Sequence, residues 1–286
     1  MKRKDVGLLV LLAAIWGSSY LFLRIATPVI GPALTMSVRV VLAAAVMLGL
    51  FAYLKKFPQY RTYWKEYIVL GVLNLVLPFT LVSYSIAHLN ASVGAILNAT
   101  TPLFTMVVSS LWLKEKICFK KVLGLLLGLT GLTVLVGWIP FRFTADVILS
   151  IVFSLLASLS YGVGAVYTKL YLSKAEPIKT ATGQTTAAAL LVLPFLHIPS
   201  SGEVFSLTIV LALVMLAVLC TALGYSLYFK LISRIGSTNT SLVTLLVPVF
   251  SLVWATIFLH EPLTPSILIG LLFIITSLKL VLAPAK

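Results

Sequence analysis

The residues of this chain that could do chemistry are aromatic, hydroxyl, amide and basic side chains inside apolar segments. Arg39 lies about seven residues into one such segment, and Trp16 and Tyr161 each stand beside a glycine in the middle of another. A charged or amphipathic group in an apolar helix usually faces protein or water, so these positions indicate a ligand cavity. We predict a cavity lined by Trp16, Ser19, Tyr20, Arg39, Tyr84, Asn98, Tyr161, Tyr167, Gln184, Tyr225, Tyr228 and Thr244.

The sequence has no residue pattern that is typical of an enzyme active site, a metal site or an ion-coupling site. The seven acidic residues lie in the predicted loops or at the ends of apolar segments, whereas ion pumps commonly place a carboxylate at the membrane midplane. Phosphate-binding glycine loops, nucleophile–base arrangements and metal-ligand spacings are absent from the sequence. The two cysteines, Cys118 and Cys220, indicate neither a disulfide framework nor a metal site. We therefore predict no catalytic residues, no cofactor, no metal and no buried proton or sodium carboxylate.

Membrane-spanning helices must position these side chains. Of the 286 residues 60% are hydrophobic and only 10% are charged, and the mean hydropathy is +1.13, values that a soluble domain does not reach. A spanning helix needs ~20 mostly apolar residues. Apolar segments of about this length occur at 6–26, 33–54, 67–87, 91–113, 118–138, 147–169, 178–197, 207–229, 238–259 and 264–283. The sequence predicts an all-α integral membrane protein with ten transmembrane helices.

The basic residues indicate how these helices are oriented. The net charge is +14, and with the N-terminus inside, the cytoplasmic loops hold every Lys and Arg except Arg24, Arg39 and Arg142. We expect both termini in the cytoplasm and the protein in the cell membrane. Because the charge is divided among short loops, the sequence offers no basic face for nucleic acid.

An internal repeat predicts the architecture. At an offset of 145–146 residues, Trp16-Gly17 aligns with Tyr161-Gly162, Arg39 with Gln184, Pro102 with Pro248 and Glu115 with Glu261. Because each copy holds five helices, an odd number, the second copy enters the membrane from the opposite side. We predict two inverted five-helix repeats, 1–140 and 141–286, around a central cavity.

Several of the paired positions have two interpretations. Arg39 could bind an anionic ligand group such as a carboxylate, or it could be a structural anchor, as its neutral partner Gln184 favours. Pro102 and Pro248 could be hinges or static kinks. Glu115 and Glu261 are interpreted as helix-end ion pairs or as gates at opposite mouths.

These motifs resemble those of EamA-type transporters of the drug/metabolite transporter superfamily. Trp16-Gly17-Ser18-Ser19, Arg39, and Leu113-Lys114-Glu115 with its second copy at Leu259-His260-Glu261 are similar to the family's signatures, and the resemblance spans the chain. It implies ten helices in inverted repeats, a central cavity, and transport of small metabolites, often by export of amino acids or related compounds.

We expect a secondary transporter that moves small polar or amphipathic metabolites by alternating access, with export favoured over import. An uptake carrier or exchanger of the same fold is the main alternative; a channel and a membrane-embedded enzyme are minor ones. The expected partners are a small-molecule substrate and the lipid bilayer, and the protein is expected to be a monomer or a homodimer. Gly124, Gly128 and Gly131 form a small-residue face that would suit close helix packing, within one chain or between two.

Overall fold

The structure is a computed structural model that describes residues 3–54, 57–88, 97–136, 144–196, 206–259 and 265–282. Every regular element in these ranges is helical. The α-helices are α1 (Arg3–Ile30), α2 (Pro32–Tyr53), α3 (Tyr60–Gly71), α4 (Leu77–His88), α5 (Thr101–Leu113), α6 (Phe119–Val136), α7 (Ala145–Tyr171), α8 (Pro177–Val192), α9 (Leu207–Met215), α10 (Gly224–Ile235), α11 (Ser237–Ser241), α12 (Val243–Leu259) and α13 (Pro265–Leu282).

Six helical stretches within the described residues are long and apolar enough to cross a membrane. They are Arg3–Ile30, Ala33–Tyr53, Tyr60–Val82, Ala145–Tyr171, Leu207–Ile235 and Ser237–Phe258. Shorter apolar helices occur at Thr101–Leu113 and Leu272–Val281. The prediction of an all-α membrane protein is confirmed, while the number of ten crossings stays a prediction.

The helices begin and end where the local sequence favours a boundary. Thr144 and Ser206 accept hydrogen bonds from the main-chain nitrogens three residues later, at the starts of α7 and α9. Gly236 ends α10 with a φ of 82°, a conformation that costs glycine little. Lys114 ends α5 in the left-handed region, with a φ of 55°.

Two π-helical segments interrupt the long helices. The first π segment is Val72–Val76, between α3 and α4, and the second π segment is Leu216–Leu223, between α9 and α10. The two segments lie at positions that the offset of 145–146 residues relates. A π segment widens the helix by one residue and leaves main-chain carbonyls that other groups can bind, and it is often found at functional sites.

Close helix crossings bring the two halves of the chain together. A methyl group on Gly17 would lie 2.6 Å from Cβ of Phe250, and one on Gly162 would lie 2.9 Å from the main-chain nitrogen of Thr105, beside Phe104. Gly17 corresponds to Gly162, and Phe104 to Phe250, under the same offset. The crossing of α1 with α12 therefore recurs as the crossing of α7 with α5.

The small-residue face of α6 packs within the chain. Gly124, Gly128 and Gly131 lie against α13, and a methyl group on Gly128 would reach to 2.6 Å from Oγ of Ser277. The glycines allow the two helices to approach closely. This packing agrees with the intramolecular interpretation of the face.

The two prolines predicted as hinges differ in their surroundings. Pro102 lies in the first turn of α5, after a turn at residues 99–100, where a missing N–H leaves no helical hydrogen bond unmade. Pro248 lies inside α12, where it removes one such bond. Residues 97–98, before that turn, are helical too, so the helical path is interrupted just ahead of Pro102. The hinge role of both prolines stays a prediction.

Candidate functional site

Trp16 is the centre of an aromatic group between α1 and α10. Its indole N–H donates to the carbonyl of Cys220 at 3.0 Å, within the second π segment. Its ring lies 5.6 Å from the ring of Tyr225 and 5.3 Å from that of Tyr228. Gly224 leaves room for the indole, because a methyl group there would lie 2.6 Å from Nε1. Trp16, predicted as a cavity wall, therefore also makes a polar contact with the opposite half of the chain.

Arg39 reaches the same π segment from α2. Its side chain is buried, and Nε donates to Oγ1 of Thr221 at 2.7 Å. The Thr221 hydroxyl in turn donates to the carbonyl of Leu216 at 2.8 Å. The guanidinium carbon lies 5.2 Å from the centre of the Phe79 ring, a cation–π distance.

Gln184, the counterpart of Arg39, makes the related contact in α8. Its Oε1 accepts from Nδ2 of Asn74, in the first π segment, at 2.9 Å. Two carbonyls of that region are bound by the other half of the chain: Ser160 donates to Leu73 at 2.7 Å, and Tyr225 donates to Asn74 at 2.8 Å. Each π segment is therefore held by side chains from the opposite half.

The phenols of Tyr20 and Tyr161 complete the group. Both side chains are half-buried, and both lie within electrostatic reach of Arg39 and of each other. The phenol of Tyr20 also lies beside the side chain of Asn98. Tyr161 also interacts with Tyr225.

We call this group the central cluster. It combines a cation, four phenols, an indole and an amide, contributed by α1, α2, the stretch before α5, α7 and α10. Such a set can stack on an apolar ligand, donate hydrogen bonds to it and attract an anion. The central cluster comprises Trp16, Tyr20, Arg39, Asn98, Tyr161, Tyr225 and Tyr228.

The remaining predicted cavity residues lie elsewhere or have local partners. Tyr167 stacks on Tyr171 near the end of α7, with ring centres 4.5 Å apart. Ser19 and Thr244 donate to carbonyls of their own helical stretches, at 2.6 and 2.9 Å. Tyr84 belongs to α4, and its side chain is outside the part of the structure that is described.

One end of the bundle carries a cavity of about 440 Å³. We call this end the basic face, because α7 and α10 end there with Lys169 and Arg234, which line the cavity. Phe229 lines the same cavity and contacts the rings of Tyr225 and Tyr228, at 6.1 and 5.5 Å. The Phe229 ring thus lies between the cavity and the central cluster.

Two ion pairs join the halves of the chain at the basic face. Nζ of Lys169 lies 2.5 Å from Oε1 of Glu115, and Nε of Arg234 lies 2.8 Å from Oδ1 of Asp5. Glu115, predicted as a helix-end ion pair or gate, is therefore paired with the other half. Glu261, its predicted counterpart, is outside the described residues.

Sequence reasoning missed Phe229, Asp5 and Arg234 as parts of this arrangement. Phe229 is one of 15 phenylalanines in an apolar chain, and nothing in its spacing separates it from lipid-facing residues. The spacing of Asp5 and Arg234 gives no signal either, because they lie in different halves. Within the described ranges, His, Cys, Asp and Glu form no group that could hold a metal ion.

Comparison with protein families matches both halves of the chain. The model of the EamA-like transporter family matches residues 4–137 and again residues 148–283. The chain belongs to the EamA-like transporter family. The resemblance noted from the motifs is thereby confirmed, as is a transporter role, and the apolar helices make this family member a multi-pass membrane protein.

Individual relatives of this EamA protein carry transporter names. The uncharacterized transporter YvbV of Bacillus subtilis is 29% identical, over 100% of this chain and 93% of its own length. A probable amino-acid metabolite efflux pump of Salmonella typhimurium is 24% identical, over 97% of this chain and 94% of its own length. A solved crystal structure has the same fold, with a TM-score of 0.81 at 17% identity, covering 99% of this chain and 97% of that one.

Proposed function

We propose that this protein is a secondary carrier that moves small polar or amphipathic metabolites across the cell membrane by alternating access. The observation that carries the proposal is the central cluster. Its members come from both halves of the chain, and a ligand held among them would contact both. A relative rearrangement of the halves would then change the side from which the ligand is reached.

The proposed architecture is the pair of inverted repeats, 1–140 and 141–286. Contacts that recur at the offset of 145–146 residues support it. Gly17 and Gly162 make the same type of helix crossing, and Arg39 and Gln184 each bind the π segment of the other half. Two halves with matched contacts can exchange conformations, as alternating access requires.

The proposed gate is the closure at the basic face. The pairs Lys169–Glu115 and Arg234–Asp5 and the ring of Phe229 lie between the central cluster and that end of the bundle. The positive-inside rule makes this end cytoplasmic, with both termini there. The proposed gate, in this closed arrangement, would separate the cluster from the cytoplasm.

Export of amino acids or related compounds is the proposed direction and substrate class. The efflux-pump name of the relative in Salmonella typhimurium supports this direction. The mixture of indole, phenol and guanidinium groups in the central cluster suits molecules with both an apolar part and hydrogen-bonding groups. The same residues would serve an uptake carrier or exchanger, because direction follows the gradients.

Removal of the two aromatic walls tests the carrier proposal. Trp16→Ala and Tyr161→Ala, each reconstituted in proteoliposomes, should cut counterflow of labelled amino acids about fivefold or more, because each aromatic contact contributes about 1 kcal/mol beyond its area. Matched controls are Trp112→Ala and Tyr53→Ala, whose side chains are 49% and 84% exposed on the bundle surface. Both controls should retain counterflow.

The folded state of each variant is checked by its melting temperature in detergent. Wild-type counterflow in both cluster variants would contradict the proposed site. Single-channel currents through the reconstituted protein would contradict a carrier and favour a channel.

A further inference from the structure

Two related contacts show which part of Arg39 the fold requires. Arg39 ties α2 to the second π segment through Thr221, and Gln184 ties α8 to the first π segment through Asn74, at 2.7 and 2.9 Å. Both side chains are buried, with 6% and 0% of their surface exposed. Since the neutral Gln184 makes the same kind of tie, the fold needs a hydrogen bond at this position and does not need a charge.

The charge of Arg39 is costly where it lies. A guanidinium within a transmembrane helix is unfavourable unless it faces the protein interior or water and has partners there. Among the described residues, the ion pairs involve Asp5, Glu115 and Glu176, and none of them includes Arg39. The described groups that lie around Arg39 are neutral: the Thr221 hydroxyl, the Phe79 ring and the phenols of Tyr20 and Tyr161.

The side chain also has donors beyond the tie to Thr221. A guanidinium carries five N–H groups in a planar fork, and its Nε supplies one of them. The phenols of Tyr20 and Tyr161, both half-buried, lie within electrostatic reach of the guanidinium. A planar anion beside Arg39 would thus meet a charged fork and O–H donors, which is the arrangement that carboxylates favour.

We propose that Arg39 is the specificity-determining residue of the central cluster and binds a carboxylate group of the transported metabolite. This inference rests on the proposed carrier function and names the chemical class of its substrate. The anion supplies the countercharge that the described residues do not provide. Gln184, which is hydrogen-bonded to Asn74, links two helices as Arg39 does, but it has no charge with which to bind a carboxylate.

Pairs of small molecules that differ only in a carboxylate test whether the charge of Arg39 binds the ligand. The probes are L-phenylalanine, L-leucine and L-tryptophan, each compared with its own amide, which keeps the size and removes the carboxylate. Binding is measured by the melting temperature of the purified protein over a concentration series, and exchange is measured by counterflow. The wild-type protein should favour at least one acid over its amide about tenfold to a hundredfold, the range of a charge-assisted hydrogen bond.

Two variants complete the test. Arg39→Gln keeps a hydrogen-bond donor for Thr221 and removes the charge, so the preference for the acid should fall to about onefold while the melting temperature without ligand changes little. Thr221→Val keeps the charge and removes the tie, so the melting temperature should fall while the acid is still preferred. If Arg39→Gln lowered the melting temperature without changing the preference for the acid, Arg39 would be structural, and the inference would be overturned.

The failure of this inference is distinguishable from the failure of the carrier proposal. Equal binding and counterflow of acids and amides by the wild-type protein would overturn the carboxylate inference and leave a carrier. A protein that neither binds nor exchanges any of the six probes would contradict both.

Discussion

At the scale of single residues, Trp16 shows how far the sequence leads. Its position beside a glycine in an apolar helix predicted a cavity wall, and its ring lies beside those of Tyr225 and Tyr228, two other predicted wall residues. The hydrogen bond to the carbonyl of Cys220 was not predictable, because that carbonyl is available only where the helix widens into a π segment. The type of a residue and its depth in a helix can thus indicate that it belongs to a site. The hydrogen-bond partner of that residue depends on the backbone conformation of another helix.

Phe229 is the residue whose replacement should open the basic face. Phe229→Ala removes the ring between the 440 Å³ cavity and the rings of Tyr225 and Tyr228, so water and solutes should reach the central cluster. Trp16 serves as the reporter in a variant whose other four tryptophans are replaced by phenylalanine. Quenching of its fluorescence by acrylamide should increase, and the free energy of unfolding should fall by about 3 kcal/mol, as for large buried rings.

The control is Phe119→Ala, at a ring that is 73% exposed at the start of α6. It should leave both the quenching and the stability unchanged. An unaltered quenching constant in Phe229→Ala, with the expected loss of stability, would show that Phe229 is only a packing residue.

At the scale of elements, the helices and their crossings follow from the sequence more closely than their internal irregularities. Runs of about twenty apolar residues predicted α1, α2 and α7, and the glycines indicated close approach. The π segments Val72–Val76 and Leu216–Leu223 were not predicted, because their sequences suit an ordinary α-helix. Side chains of the other half, such as Ser160 and Trp16, bind the carbonyls there, and this pairing cannot be read from one helix.

The glycines at the two related crossings should tolerate no side chain. Gly17→Ala would place a methyl group 2.6 Å from Cβ of Phe250, and Gly162→Ala would place one 2.9 Å from the nitrogen of Thr105. Each should lower the free energy of unfolding by about 1–3 kcal/mol, because the helices must move apart. Unfolding in mixed micelles measures the change.

Gly49→Ala is the matched control in α2, since nothing lies within 4 Å of a methyl group there. It should be neutral or stabilise the protein by about 0.5–1 kcal/mol, through its better helix propensity. A loss of stability in Gly49→Ala as large as that in Gly17→Ala would mean that the crossing is not the cause.

At the scale of the whole molecule, composition and charge predicted a membrane protein, and the paired motifs predicted its family. Several of the predicted cavity residues lie together in the central cluster, as Trp16 and Tyr20 of α1 and Arg39 of α2 do. Tyr167 pairs with Tyr171 and not with the cluster, because α7 carries it about 1.7 turns nearer to the basic face than Tyr161. Whether a tyrosine reaches the cluster depends on its depth along the helix, and the residue type alone does not predict that depth.

The last prediction concerns the two ion pairs that join the halves at the basic face. Glu115→Gln and Asp5→Asn each remove one pair, and the equilibrium should shift toward a state that is open at this face. The Lys169–Glu115 pair is more than a third exposed, so it contributes at most about 1 kcal/mol, and the shift should be about fivefold or less. Acrylamide quenching of Trp16 measures the open fraction. The change should recede in the charge-exchanged variant that combines Glu115→Lys with Lys169→Glu, because the attraction is restored across the same gap.

Glu176→Gln is the control for loss of negative charge. It breaks the pair of Glu176 with Lys179, three residues away in the same half, and should leave the quenching unchanged because that pair does not join the two halves. Equal effects of Glu176→Gln and Glu115→Gln would mean that loss of negative charge, and not the link between the halves, controls the basic face.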